Sequence, residues 1–385
     1  MKKLLLLLSL IVLVSLASCK KKGCTDPLAN NYNTEAEKDD ESCIYDLAPS
    51  YSVPSTYTFM DADGNNTVSF SGQTARLDML SEMTNYLKSA NGINEVPATL
   101  DGPTLLSMYD NSYANWADNA LVGNGKQLKN KTALGDVGIQ AQFEIWMNDA
   151  AAASPSVNGS YLQAPSGHEW TQLIEKGLMS ACFANQMTSN YLADIQSDEN
   201  TVAIDPLLGK YYTEMEHHWD EAYGYFTDAV DYPTNGADRF WGKYANNTLE
   251  TLLGSATAIS EAFRTGRAAI AAGITADVPA QVAIIQEEAR RMVAGMAIHY
   301  LNSTKQKVAD GETQNTVNHY MSEAYAFIYG IQFCENPDMS SETVNGLLAQ
   351  IDADFEGFTQ NVSNINNLID TLAIATGLEN EKNDL

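Results

Sequence analysis

Residues 211–226, YYTEMEHHWDEAYGYF, place Glu214, Glu216, His217, His218, Asp220 and Glu221 within one short stretch of a chain that has only 5 histidines. Imidazole and carboxylate side by side can ligate a metal, move a proton, or bond each other. On a helix over 212–226, positions three and four apart are neighbours. Glu214, His217, His218, Glu221 and Tyr225 then share a polar face, and Met215, Trp219, Ala222 and Phe226 form an apolar stripe beside it. Glu214-x-x-His217 is also the inward-facing unit of carboxylate-bridged di-iron bundles, but such a site needs a second Glu-x-x-His and two more glutamates. The chain offers His319 and Glu323 instead, so a di-iron oxidase is not supported. The zinc-protease pattern His-Glu-x-x-His is absent, because Gln172 follows GHEW where the second histidine would stand; a Gly-x-Ser-x-Gly elbow and a Walker loop are absent too. Spacing alone leaves open a ligand or metal site, a catalytic centre, and a polar pair that ties two helices together.

The elements that must position these residues are helical. TARLDMLSEMTNYLKSA repeats apolar residues at Leu77, Leu80, Met83 and Leu87, the spacing of one buried face. Ile285, Ala289, Met292, Val293, Met296 and Tyr300 predict a second core helix over 282–301. From Val344 through Leu348, Ile351, Phe355, Phe358, Val362, Ile365 and Ile369 to Leu372, steps of four and three predict one continuous seam, started by Ser340 or Ser341 and stopped by Gly377. Near the start, YSVPSTYTFMDADGNNTVSFSG alternates about a Gly-Asn turn and reads as a β-hairpin over 51–72. HHWDEAYGYF is echoed a hundred residues later by HYMSEAYAFI, as a duplicated helical half would leave it. The expected class is all-α: two pseudo-repeated helical bundles, 51–235 and 236–385, with a small N-terminal hairpin.

The 22 lysines and arginines face 49 aspartates and glutamates, a net charge of −27. Such a field repels phosphate backbones, and nucleic acid is not an expected partner. MKKLLLLLSLIVLVSLASC sets two lysines before a short apolar run and small residues, a signal peptide over 1–18. LASC resembles the bacterial lipobox. That resemblance implies lipidation at Cys19, a membrane partner through that anchor, and an envelope address, with the outer membrane favoured because Lys20 follows the cysteine. Cys24 and Cys43 bracket a polar loop in an oxidising compartment and are expected to form a disulfide in a stalk over 19–50. Cys182 and Cys334 lie in apolar helical contexts and read as inert buried thiols.

HHWDEAYGYF, FWGKYAN and HYMSEAYAFIYGIQF, with SGQTARLDML and IEKGLMSA upstream, resemble a lipoprotein branch related to the imelysin family, from about Tyr51 to the C-terminus. The resemblance implies a two-bundle helical envelope protein associated with iron acquisition. His218 and Glu221 match the histidine and glutamate of that family's Gly-x-His-x-x-Glu motif, and Glu216 stands where its glycine would be. The expectation drawn from it is a metal ion, iron favoured, or an iron-containing ligand at the bundle interface. His218 and Glu221 would be primary ligands, completed by His217, Glu214 and Glu323, with an envelope transport system as a possible partner. A metal-dependent hydrolase or peptidase and a non-catalytic surface interaction protein are the alternatives.

Overall fold

Side-chain capping starts many of the helices, and glycine or a polar turn ends them. In the computed structural model, which describes residues 20–27, 29–44, 51–157, 159–234 and 239–385, the chain is all-α. The helices are α1 Ser71–Lys88, α2 Gly102–Tyr109, α3 Val137–Ala153, α4 Trp170–Leu178, α5 Glu214–Phe226, α6 Phe240–Tyr244, α7 Glu250–Leu253, α8 Ser255–Ala271, α9 Val278–Ala309, α10 Gln314–Gly330, α11 Ser341–Asp352, α12 Phe355–Gln360 and α13 Val362–Thr376. π-helical turns continue α4 through Met179–Ala184 and Gln186–Tyr191, and join α6 to α7 through Ala245–Leu249. The predicted faces of α1 and α9 are buried at Leu77, Leu80, Met83, Leu87, Ile285, Ala289, Met292, Val293 and Met296.

α10 lies at the centre, packed on both α9 and α4, while α8 and α13 cover α9. α5 packs on α1, α8 and the π-turn Gln186–Tyr191. Close approach requires glycine at two of these crossings. A Cβ on Gly224 would stand 2.7 Å from Phe70 Cβ, and one on Gly266 of α8 would stand 2.1 Å from the Trp219 ring of α5. The tight approach of α8 to α5 is what brings Trp219 Nε1 to the Phe263 carbonyl (3.0 Å).

Three expectations differ from what the chain does. The hairpin over 51–72 reduces to a single bridge, Met60 with Asn66, around a turn in which Asp61 Oδ1 accepts from Asp63 N and Asn65 N. Pairing stops there because the side chains are recruited elsewhere: Tyr57 stacks on Tyr223 of α5 at 3.6 Å and donates to Asp220. The partition into bundles 51–235 and 236–385 is crossed by α4 on α10 and by α5 on α8, within one compact unit from Val53 to Leu385. The seam from Val344 to Leu372 is three helices, because Asp354 and Asn361 cap new N-termini inside it, accepting from Gly357 N and Ser363 N. Its ends are as expected, with Ser340 capping α11 and Gly377 at φ 70° closing α13.

The described residues before Val53 belong to a unit of their own. Within its described residues a disulfide joins Cys24 to Cys43, and Asn31 bonds to the backbone of Ser42 and Ile44. The signal segment 1–18 and Cys19 lie outside the described residues. No described helix is long and apolar enough to cross a membrane. Cys182 and Cys334 are free and buried, and burial pushes both thiols up to about 12.

Candidate functional site

α5 begins with a capping box: Thr213 Oγ1 accepts from Glu216 N (3.2 Å), and Glu216 Oε2 accepts from Thr213 N (2.9 Å). Its inner face is charged. Arg267 of α8, wholly buried, donates to Asp220 Oδ1 (2.9 Å), Glu216 Oε1 (2.6 Å), and the carbonyl and hydroxyl of Thr67 (3.1 and 3.0 Å). Asp220 also accepts from the Tyr57 hydroxyl (2.8 Å) and from Ser69 N (3.0 Å). Burial pushes the Asp220 carboxyl up to about 6, with the guanidinium and Tyr57 pulling the other way. Two of the acids in HHWDEAYGYF and its lead-in are therefore consumed in fastening α5 to α8 and to the segment before α1.

The five predicted ligands do not meet. Among the described residues no three histidine, cysteine or acidic side chains are grouped to hold a metal ion. His217 Nδ1 donates to the Ser69 carbonyl (3.1 Å), and its Nε2 stands 4.0 Å from Glu221 Oε2. Glu221 Oε1 accepts from Gln73 of α1 (2.9 Å). Burial holds His217 below the usual imidazole range against the pull of Glu221, and His218 adds to the depression. His218 is next in sequence and so turned about 100° round the helix, where Nδ1 meets Asp198 Oδ2 at 2.8 Å. Glu214 is exposed in the first turn, 3.3 Å from Glu199 N. Tyr225, expected on the polar face, is buried, and its hydroxyl has no hydrogen-bond partner among the described residues. Glu323 lies on α10, away from all four.

There the sequence echo has a structural counterpart. His319 and Glu323 repeat the arrangement of His217 and Glu221: Nδ1 is anchored, here on Glu169 Oε2 (2.6 Å), and Nε2 faces the glutamate one turn on (3.8 Å). Glu169 is fully buried, and its other oxygen accepts from Gln172 (3.1 Å), so His319 is aimed from behind by a fixed carboxylate and covered by Tyr161 stacked at 4.1 Å. A histidine so oriented can serve as a base or as a ligand through Nε2. The two pairs are not one site. Gln73 meets Glu221, while Thr84 on the same helix lines the surroundings of His319, eleven residues further and so about 16 Å along α1.

His319 and Glu323 open on a cleft of about 570 Å³ bounded by α1, α4, α6, α9 and α10. Four of the chain's 22 basic side chains, Lys88, Lys176, Arg239 and Lys243, line it. Lys176 is buried and lies 2.9 Å from Glu175 and 3.9 Å from Glu323; Lys88 is 3.9 Å from Glu175. Arg239 is held by Asp78 and Asp228. Lys243 is exposed, with no carboxylate partner among the described residues, and lies 6.0 Å over the Tyr244 ring. Tyr244 and Tyr300, with hydroxyls 3.4 Å apart, form part of the wall. Phe240 starts α6 at φ 49°, a left-handed conformation costly for an aromatic residue, at the edge of this cleft.

The charges here are tuned by burial and by one another. Burial pushes Glu323 up to about 7 from an ordinary 4.5, with Lys176 and His319 pulling down and Glu169 and Glu175 pushing further up. Burial also opposes the charge of Glu175, but Lys176 and Lys88 outweigh it and the carboxyl ends below the usual range. Burial disfavours the His319 cation, yet Glu169 and Glu323 raise it above the usual imidazole range. The cleft therefore holds a glutamate whose carboxyl is raised toward neutrality and a histidine biased toward its cation, beside Lys88, Lys243 and the ion-paired Lys176 and Arg239.

Sequence reasoning found Glu323 and the echo but not Glu175, Lys176 or Lys243. One signal was present: Glu175 and Lys176 are the only charges between Leu173 and Met187 in LIEKGLMSACFANQM. A helix apolar all round except for one adjacent ion pair is a buried helix with a polar function.

A family described as Domain of unknown function (DUF4856) matches residues 54–378, and the chain belongs to that family. No curated protein and no solved structure matches it.

Proposed function

From that membership, which carries no activity, and from the cleft on α10, we propose that this chain is a lipid-anchored envelope protein that retains an anionic small ligand. The observation that carries the reading is the convergence of Lys88, Lys176, Arg239 and Lys243 on one cleft of a chain with net charge −27. In an acidic protein such a patch attracts anions locally while the remaining surface repels them. Lys243 and Lys88 are available to a ligand carboxylate or phosphate, and the cation of His319 adds a third donor. The hydroxyls of Thr84, Thr248 and Tyr300 in the same wall suit a polar ligand.

This reading modifies the expectation of a bare metal ion. Four cations around His319 and Glu323 disfavour a naked Fe³⁺, and two donors fall short of the three or more that a protein metal site uses. The imelysin likeness, with its association to iron acquisition, is accommodated by an iron-containing ligand that is itself anionic, a ferric carboxylate chelate. The anchor at Cys19, the outer membrane and an envelope transport partner belong to the same proposal and rest on the lipobox resemblance.

Calorimetric titration of the mature chain with citrate, ferric citrate and Fe³⁺ as separate titrants tests it. Saturable binding of citrate or its ferric complex, weakened about tenfold or more in the Lys88→Glu, Lys243→Glu double variant, is expected. Binding of Fe³⁺ alone, or affinity unchanged in that variant, would overturn it.

The hydrolase reading has one observation in its favour, the Glu169–His319 pair with Nε2 turned to the cleft. It requires turnover of a peptide or ester library that His319→Gln abolishes.

A further inference from the structure

A second cavity, about 510 Å³, lies beside the same two helices and is lined by α3, α4, α10 and α11 residues and the turn before α4. Its chemistry is the reverse of the charged cleft. No lysine or arginine lines it, and its walls hold two of the chain's 5 tryptophans, Trp146 and Trp170, together with Tyr325. Its single carboxylate, Asp352, is held in place: Oδ1 faces His168 Nε2 (2.9 Å), Oδ2 accepts from the Tyr325 hydroxyl (3.1 Å), and His168 Nδ1 is braced by Ser166 Oγ (3.0 Å). The carboxamides of Gln142 and Asn345 also line it, and neither makes a hydrogen bond to another side chain or to the backbone among the described residues. The volume falls within the roughly 300–1,000 Å³ of small-molecule sites.

We infer that this cavity binds a neutral carbohydrate. Flat aromatic walls pack the C–H faces of a sugar ring. Planar amides and an oriented carboxylate pair with its vicinal hydroxyls, each amide donating and accepting at once. The lack of any lysine or arginine removes the driving force for an acidic ligand, which the neighbouring cleft supplies. Asp352 keeps lone pairs for a hydroxyl donor even with both oxygens engaged, since each carboxylate oxygen accepts more than one hydrogen bond. The inference does not rest on the anionic-ligand reading and involves none of its basic residues.

The test is a microarray of neutral and acidic oligosaccharides probed with the mature chain, followed by tryptophan-fluorescence titration with the oligosaccharide that binds. Gln142 and Asn345 are not buried, so the Gln142→Ala, Asn345→Ala double variant is expected to fold. It should bind about tenfold more weakly, the loss of one or two neutral hydrogen bonds. Lys243→Glu should leave the carbohydrate affinity unchanged. No array binding, binding confined to acidic oligosaccharides, or an affinity unaffected by the double variant would each overturn the inference.

Discussion

Arg267 shows how a single residue decides what its neighbours are free to do. It pairs with both Glu216 and Asp220 inside the protein, so two of the acids crowded into residues 211–226 are withdrawn from chemistry. Replacing Arg267 by methionine leaves two buried carboxylates without their cation and is expected to cost about 3–5 kcal/mol in urea-induced unfolding. Gly266→Ala is expected to cost about 1–3 kcal/mol in the same measurement, because its Cβ meets the Trp219 ring at 2.1 Å. The acids were legible in the sequence, but their employer was not. Arg267 stands 47 residues beyond Asp220, and no spacing rule joins residues so distant.

At the scale of elements, α4 and α10 carry both cavities on different faces. α10 presents His319 and Glu323 to the charged cleft and Tyr325 to the aromatic one; α4 presents Glu175 and Lys176 to the first and Trp170 to the second. The raised carboxyl of Glu323 makes this pair sensitive to pH. Its folded-state proton affinity exceeds the unfolded one, so between pH about 4.5 and about 7 the unfolded chain has released a proton that the folded chain keeps, and stability falls as pH rises. His319, raised above the imidazole range, acts in the same direction above about pH 6.5, its contribution being lost as pH rises through the folded value. Glu323→Gln is therefore expected to flatten the decline between pH 4.5 and 7 by on the order of 1–3 kcal/mol in denaturation curves measured across that range. Anion binding should weaken over the same interval in the wild type.

Helix α5 was legible almost to its ends from its polar face and apolar stripe, and the capping box at Thr213 and Glu216 emerged with the structure. The echo on α10 was legible as text, and its meaning, a repeated histidine-over-glutamate geometry, emerges from the anchors behind each imidazole, the Ser69 carbonyl and the Glu169 carboxylate. What sequence periodicity could not register is phase. Asp354 and Asn361 restart the helix twice inside an unbroken apolar rhythm, because a short polar residue can cap a helix without disturbing that rhythm. The hairpin failed for a related reason: alternation predicts strands only while their side chains have a sheet to serve, and Tyr57 serves α5.

For the molecule as a whole, a net charge of −27 sets the background against which the lysine- and arginine-lined cleft is proposed to hold an anion. The same molecule is proposed to be tethered through Cys19. Cys19→Ala is expected to move the protein from the detergent phase to the aqueous phase in a phase-partition assay and to abolish labelling by radioactive palmitate. The family membership over residues 54–378 leaves the ligand to be found by experiment, and the central claim is where that ligand sits. Anomalous diffraction at the iron edge from crystals of the mature chain soaked in ferric citrate locates it directly. A peak in the cleft between Lys243 of α6 and His319 of α10 is the result predicted here. A peak beside His217, His218 and Glu221 on α5, with the α10 cleft empty, would contradict it.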